Sequence, residues 1–187
     1  MALVADGRVE DALGLIDQLA ANGNAEAFWA RGLWRLEGRL LPRDPARARD
    51  DFRAGDTAGH VGAARIHAGL LASGTGGARD WRAAIDCLAR WADRDPVAAR
   101  QRALIAAMPL DAAGEPTALP EPIIVNITPY IARLPALLSA EECAFLAEMA
   151  EPRLKPALIF HEGERRFIAD PVRDSDAAGF PLVFEWP

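Results

Sequence analysis

The chain has 187 residues, enough for one large or two small domains, and its 51 % hydrophobic content excludes a disordered protein. A formal net charge of −6 argues against a nucleic-acid or anionic-membrane surface, and Lys155 is the sole lysine, so the positive charge is almost all arginine. Two cysteines, Cys87 and Cys143, are too few for a disulfide framework; no apolar run approaches the roughly 20 residues that span a bilayer, and Asp6 interrupts any signal-peptide core, so a cytoplasmic protein is expected.

In chain order, Arg8 to Ala21 places Val9, Ala12, Leu13, Ile16, Leu19 and Ala20 on one helical face, and Asn22–Gly23 is a stop signal. A second helix is predicted from Ala25 to about Glu37, ended by Gly38. Asp44 caps a third, with Pro45 at its first position, running to about Arg53; Gly55 to Gly59 then turn the chain. A fourth helix covers His60 to Leu71. The glycine-rich run from Ser73 to Gly77 separates it from a fifth capped by Asp80, with Trp81, Ile85, Leu88 and Ala92 on one stripe. Asp95–Pro96 repeats the cap-plus-proline device and opens a sixth helix ending near Met108. Cys87 and Cys143 each fall in an amphipathic helix, where a free thiol is expected to be buried as a small hydrophobe.

These helices repeat. Ala12, Ala48 and Ala84 recur every 36 residues, as do Ile16, Phe52 and Leu88, then Ala27, Ala63 and Ala99. Trp34, Leu70 and Ala106 keep the step, Gly23 and Gly59 are followed by Asp95, Gly38 pairs with Gly74, and Asp44 pairs with Asp80. A fixed period in the thirties is the mark of stacked helical hairpins, each leaning on the next. The units around Ala25–Gly59 and Val61–Asp95 resemble Sel-like repeats, relatives of the tetratricopeptide repeat. The resemblance covers residues 1–108 and implies a helical-repeat solenoid that holds a protein or peptide partner. Asp95 stands where the pattern has glycine, and Gly114 does not continue it.

Residues 109–122 carry four prolines and Gly114 and are expected to form a semi-extended linker. After it the period changes. Ile123 to Val125 and Tyr130 to Leu134 read as strands. Ser139 with Glu142 forms a capping box for a helix to about Ala150, closed by Pro152. Leu154 to Phe160 and Arg165 to Ala169 read as a hairpin about Glu162–Gly163, and Arg173 to Gly179 as a polar loop. The run SAEECAFLAEMAEPRLK, Ser139 to Lys155, and the run RDSDAAGFP, Arg173 to Pro181, resemble the opening of prolyl 4-hydroxylase-type oxygenases. Asp174 stands where that family usually has threonine. The fold class expected is therefore mostly α: a solenoid followed, over residues 123–187, by a small α+β segment, the incomplete start of a jelly roll.

The resemblance implies Fe(II), 2-oxoglutarate and ascorbate for an intact relative that hydroxylates a peptidyl residue. Such chemistry needs two histidines and a carboxylate on one face of the metal. Three histidines are present: His60 and His67 lie about 10 Å apart along one helix, and His161 lacks the His-x-Asp spacing. No metal, catalytic or cofactor-binding residue is assigned from the sequence, and the chain is expected to be catalytically incompetent. Gly74–Thr75–Gly76–Gly77 lacks the lysine and strand of a phosphate loop. Glu141–Glu142 suits a helix N-terminus. Trp29, Trp34 and Trp81 read either as groove lining or, the commoner case for a Trp at helical spacing, as core. Four short strand candidates fall well below the eight of a jelly roll, and the tail Pro181 to Pro187 is apolar with nothing after it to pack against, so the chain reads either as the front portion of such an oxygenase or as a stand-alone adaptor.

Overall fold

The computed structural model describes residues 7–169, 172 and 175–180. Among them the chain is mostly helical, with a few short antiparallel strands, and divides into two compact units, one through Thr117 and one from Ala118. The tail Pro181 to Pro187, with Arg173 and Asp174 of the loop run, lies outside the described residues. No described helix is long and apolar enough to cross a membrane.

Among the described residues the first unit holds six helices: α1 (Val9–Ala21), α2 (Ala25–Glu37), α3 (Pro45–Thr57), α4 (Val61–Ser73), α5 (Trp81–Trp91) and α6 (Pro96–Ala107). The starts of α2 to α6 are fixed by side-chain caps, whereas α1 has none. Asn24, Asp44, His60, Asp80 and Asp95 accept from the backbone N–H of Ala27, Arg47, Ala63, Ala83 and Val97. Gly38 and Gly74 end α2 and α4 in the left-handed conformation that a Cβ penalises. The 36-residue step is also present in the backbone hydrogen bonds. Asp44 N–H donates to the Arg35 carbonyl and Asp80 N–H to the Leu71 carbonyl, both at 2.8 Å. Asn24 N–H donates to Leu19 at 3.0 Å, and His60 N–H to Gly55 at 2.9 Å. Sequence periodicity here is periodicity of local geometry.

Helix α2 packs most closely on α3, and α4 on α5. The core between them contains Leu36, Ala48, Phe52, Ala63, Ile66 and Leu70. A second cluster joins Ala64, Ala68, Cys87, Leu88 and Ala98. The register positions Ala12, Ala48 and Ala84 are all buried. Helix α3 continues to Thr57, past the predicted end near Arg53, with Gly55 inside it. A Cβ at Gly55 would meet the Ala63 Cβ at 2.8 Å, so this glycine marks a close helix crossing and not a turn.

Gly76 is different: with φ +78°, an added Cβ would lie 2.2 Å from the Pro45 carbonyl oxygen, which is backbone and cannot step aside. Gly76→Ala is expected to destabilise the protein by at least about 2 kcal/mol. Gly59→Ala, also at positive φ but with open space around it, is expected to cost about 1 kcal/mol. Urea unfolding of the two variants measures the difference; equal costs would show that the loop yields.

Residues 109–117, expected as part of the linker, belong to the first unit. Leu110 bridges Pro116, Asp111 accepts from Ala113 and Glu115, and Glu115 pairs with Arg79. Gly114 lies against the Trp81 ring, where any side chain would overlap the indole.

The second unit contains strands β1 (Ile123–Asn126) and β2 (Ile131–Arg133), helix α7 (Ala140–Ala150), a 3-10 turn Glu151–Arg153, and strands β3 (Lys155–Pro156), β4 (Leu158–His161), β5 (Arg166–Ala169) and β6 (Asp176–Ala177). The strands pair as three antiparallel ribbons, β1–β2, β3–β6 and β4–β5. Phe160 opposes Phe167, their rings edge to face at 5.4 Å. The predicted strand Leu154 to Phe160 is broken at Ala157, whose N–H turns to the Ser175 carbonyl. The Ser139–Glu142 capping box forms as expected. Phe145 is the one buried hydrophobic described in this unit, while Ile124, Val125, Ile127, Tyr130 and Phe167 are all more than half exposed. Cys143, expected to be buried, is exposed: two positions from Phe145, it points to the opposite side of α7.

Candidate functional site

Arginines converge on a groove in the first unit. Helix α3 contributes Arg49 and Arg53 one turn apart, α5 contributes Arg90, and α4 contributes His67, around a cavity of about 410 Å³. Three guanidiniums face one lining carboxylate, Asp50, on a chain of net negative charge. Each is oriented. Arg49 donates to the Ala78 carbonyl at 2.9 Å, Arg53 to Asp50 at 2.9 Å, and Arg90 to Asp56 at 2.6 Å. The Gly74–Gly77 segment, which lacked the features of a phosphate loop, supplies Gly76 and Gly77 to the groove wall.

His67 and Arg90 also belong to a buried polar cluster. Asp56 Oδ2 lies 3.4 Å from His67 Nδ1 and 3.3 Å from Cys87 Sγ, and Asp56 Oδ1 accepts from the Trp91 indole N–H at 2.8 Å. Burial pushes the Asp56 carboxyl up, but hydrogen bonds from His67, Trp91 and Cys87 and the charge of Arg90 outweigh it and hold the group well below the usual carboxylate range. Burial, reinforced by the Asp56 charge, pushes the Cys87 thiol up to about 12. At neutral pH the cluster is thus a carboxylate ringed by donors, with a protonated thiol.

One unit earlier, the places of His67 and Cys87 are taken by Arg31 and Asp51, 36 residues back. There the buried Asp51 accepts from Arg31 at 2.7 Å and from Arg35 at 2.6 Å, and Arg31 reaches on to Asp17 at 2.8 Å. Burial lowers the Arg31 pKa, but the two carboxylates more than offset this and raise it. The same site in the fold therefore holds an ion pair in one unit and an imidazole–thiol pair in the next. Sequence reasoning paired His60 with His67 along one helix and missed Asp56 and Cys87, which come from neighbouring helices. The register alignment of Arg31–Asp51 with His67–Cys87 is the signal that exposes Cys87; Asp56 stands in register with Ala20 and is not flagged by it.

The remaining candidates have local roles. His60 Nδ1 caps α4, its Nε2 lies 3.0 Å from Glu26, and its ring stacks on Trp29 at 5.2 Å. An acceptor at Nδ1 places the proton on Nε2, so Glu26 is the acceptor of that bond. His161 Nδ1 accepts from the Glu164 N–H and closes the β4–β5 turn. Trp29 and Trp34, spaced as core residues, are half-buried and border a second, apolar cavity of about 330 Å³; Trp81 is half-buried against Leu71, Ala72 and Ala84. Comparison with family models, curated proteins and solved structures returns no match.

Proposed function

We propose that this chain is a binding platform: a stack of Sel-like helical repeats whose arginine groove holds an acidic segment of a partner protein, leading into the opening portion of a prolyl 4-hydroxylase-like oxygenase domain. The observation that carries the reading is the convergence of Arg49, Arg53 and Arg90 from successive units on one groove. Guanidinium forks suit carboxylates geometrically, and a groove between stacked helices suits an extended peptide. The oxygenase portion rests on the Ser139–Lys155 run and on the uncovered apolar faces of the second unit. Two-stranded ribbons bearing exposed Ile124, Val125 and Phe167 call for further strands to pack on them.

The donor set does not fit the iron of that family. Among the described residues the one cluster of three potential ligands is Asp56, His67 and Cys87, which has a thiol in place of the second histidine and lies in the first unit. No catalytic step is derived through iron for this chain. A stand-alone adaptor is the second reading, favoured by the first unit's closed core around Phe52.

Fluorescence anisotropy with labelled acidic, neutral and basic peptides tests the proposal on the full chain. Binding of the acidic peptide alone, weakened by salt and by at least about tenfold in Arg53→Glu, is expected. With Fe(II), 2-oxoglutarate and ascorbate added, the bound peptide is expected to stay unmodified. Equal binding of acidic and basic peptides, or an Arg53→Glu variant that binds as well as the parent, overturns it.

A further inference from the structure

Helices α3, α4 and α5 each direct one donor to a common point: a carboxylate oxygen of Asp56, an imidazole nitrogen of His67 and the sulfur of Cys87. The three atoms lie within 4.8 Å of one another, and all three residues are buried. We propose that this cluster is a binding site for a divalent cation of the zinc class, held by Asp56, His67 and Cys87 with a water from the groove side completing a tetrahedron. The inference does not rest on the peptide-binding reading.

The geometry is close to what such an ion requires. Ligand bonds of about 2.0–2.3 Å in a tetrahedron set neighbouring donors roughly 3.3–3.8 Å apart. The separations from Asp56 Oδ2 are 3.4 Å to His67 and 3.3 Å to Cys87. A thiol, an imidazole and a carboxylate form a borderline-soft donor set that favours zinc over magnesium or calcium. Trp91 donates to Asp56 Oδ1, the oxygen not used, and so fixes the carboxylate plane as an outer-sphere partner does. Access exists, because His67 lies on the wall of the groove.

The repeat register supplies an independent argument. In the preceding unit the equivalent place is occupied by a cation, the Arg31 guanidinium between Asp51 and Asp17. At His67 and Cys87 both that built-in cation and the Asp51 carboxylate are replaced, and a buried carboxylate comes instead from Asp56, whose counterpart 36 residues back is Ala20. Arg90 supplies the compensating charge, and its side chain is 56 % exposed. It is therefore able to swing into the groove without stranding a buried charge. Metal binding exchanges one cation for another at Asp56, and the Cys87 thiol proton passes to solvent as the sulfur becomes a ligand.

Cobalt(II), titrated onto the full chain under reducing conditions, reports thiolate ligation through a sulfur-to-cobalt charge-transfer band. One cobalt per chain is expected, displaced by zinc(II). Cys143→Ser is expected to leave the band unchanged. Cys87→Ser should abolish it, and His67→Ala should weaken binding at least tenfold. Arg90→Ala removes the competing guanidinium and should tighten binding at least tenfold. Cys143 is exposed and lies in the second unit, so its arm is independent of any folding defect in the buried variants, and circular dichroism checks that Arg90→Ala, which takes from Asp56 its charged partner, stays folded before it is titrated. Absence of the band in the parent chain, a band that survives Cys87→Ser, or weaker binding in Arg90→Ala overturns the proposal.

Discussion

Replacing Phe52 by alanine is expected to cost about 3–5 kcal/mol, the largest loss of any single truncation in the first unit. Phe52 is fully buried on α3 and packs among Leu36, Ala48, Ala63, Ile66 and Leu70, residues drawn from α2, α3 and α4. Its ring fills the space that Gly32 leaves empty: a Cβ on Gly32 would sit 2.8 Å from Phe52 Cε1. Truncation therefore removes the ring where the facing residue has no side chain to relax inward, so the cavity stays open. Domains of this kind have only about 5–15 kcal/mol of total stability, which places the variant near the edge of folding. Urea unfolding followed by tryptophan fluorescence measures the effect. A loss below about 1 kcal/mol would mean that α2 and α3 close over the vacated space.

Asp56→Asn is expected to cost about 2–4 kcal/mol at neutral pH, and the cost should shrink as the solution is acidified. Asparagine keeps the shape and an acceptor for Trp91, but removes the charge that holds Arg90 and offers an N–H₂ group to a site already crowded with donors. The sign of the pH effect follows from linkage. The folded-state pKa of Asp56 is depressed, so its stabilising contribution is complete above the unfolded value, about 3.9, and is lost as pH falls through the lower folded value. Parent and variant stabilities should converge in that acid window and diverge above it. A gap between the two that stays constant with pH would assign the role of Asp56 to shape and hydrogen bonding rather than to charge.

The helices of the first unit were legible because their boundaries are set locally. Asp44, Asp80 and Asp95 cap through their own side chains, and Gly38 and Gly74 stop helices through their own backbone freedom, so a short window of sequence suffices. Gly55 was misleading for the opposite reason. Its lack of a side chain serves a neighbour, Ala63, and nothing within its own turn distinguishes a crossing glycine from a breaking one. Residues 109–117 read as a linker because the fit of Gly114 to Trp81 and the Glu115–Arg79 pair depend on side chains more than 30 residues away. The candidate site is non-local throughout. Asp56 and Cys87 are 31 residues apart and meet only because α3 and α5 both lie against α4. The capped helix of the second unit was plain from Ser139 and Glu142, whereas the exposure of Cys143 depends on which side of α7 faces Phe145's surroundings.

The two joints at which Asp44 and Asp80 bond back to the carbonyls of Arg35 and Leu71 are interchangeable in geometry. A duplicated or excised block of 36 residues would meet its new neighbour with donor and acceptor already in place, whereas any other length would leave that N–H without its mate. On the repeat reading proposed above, the reach of this scaffold is quantised: it would lengthen or shorten by whole modules, and each added module would bring its own instance of the position filled by Arg31–Asp51 in one and His67–Cys87 in the next, free to take on a chemistry of its own.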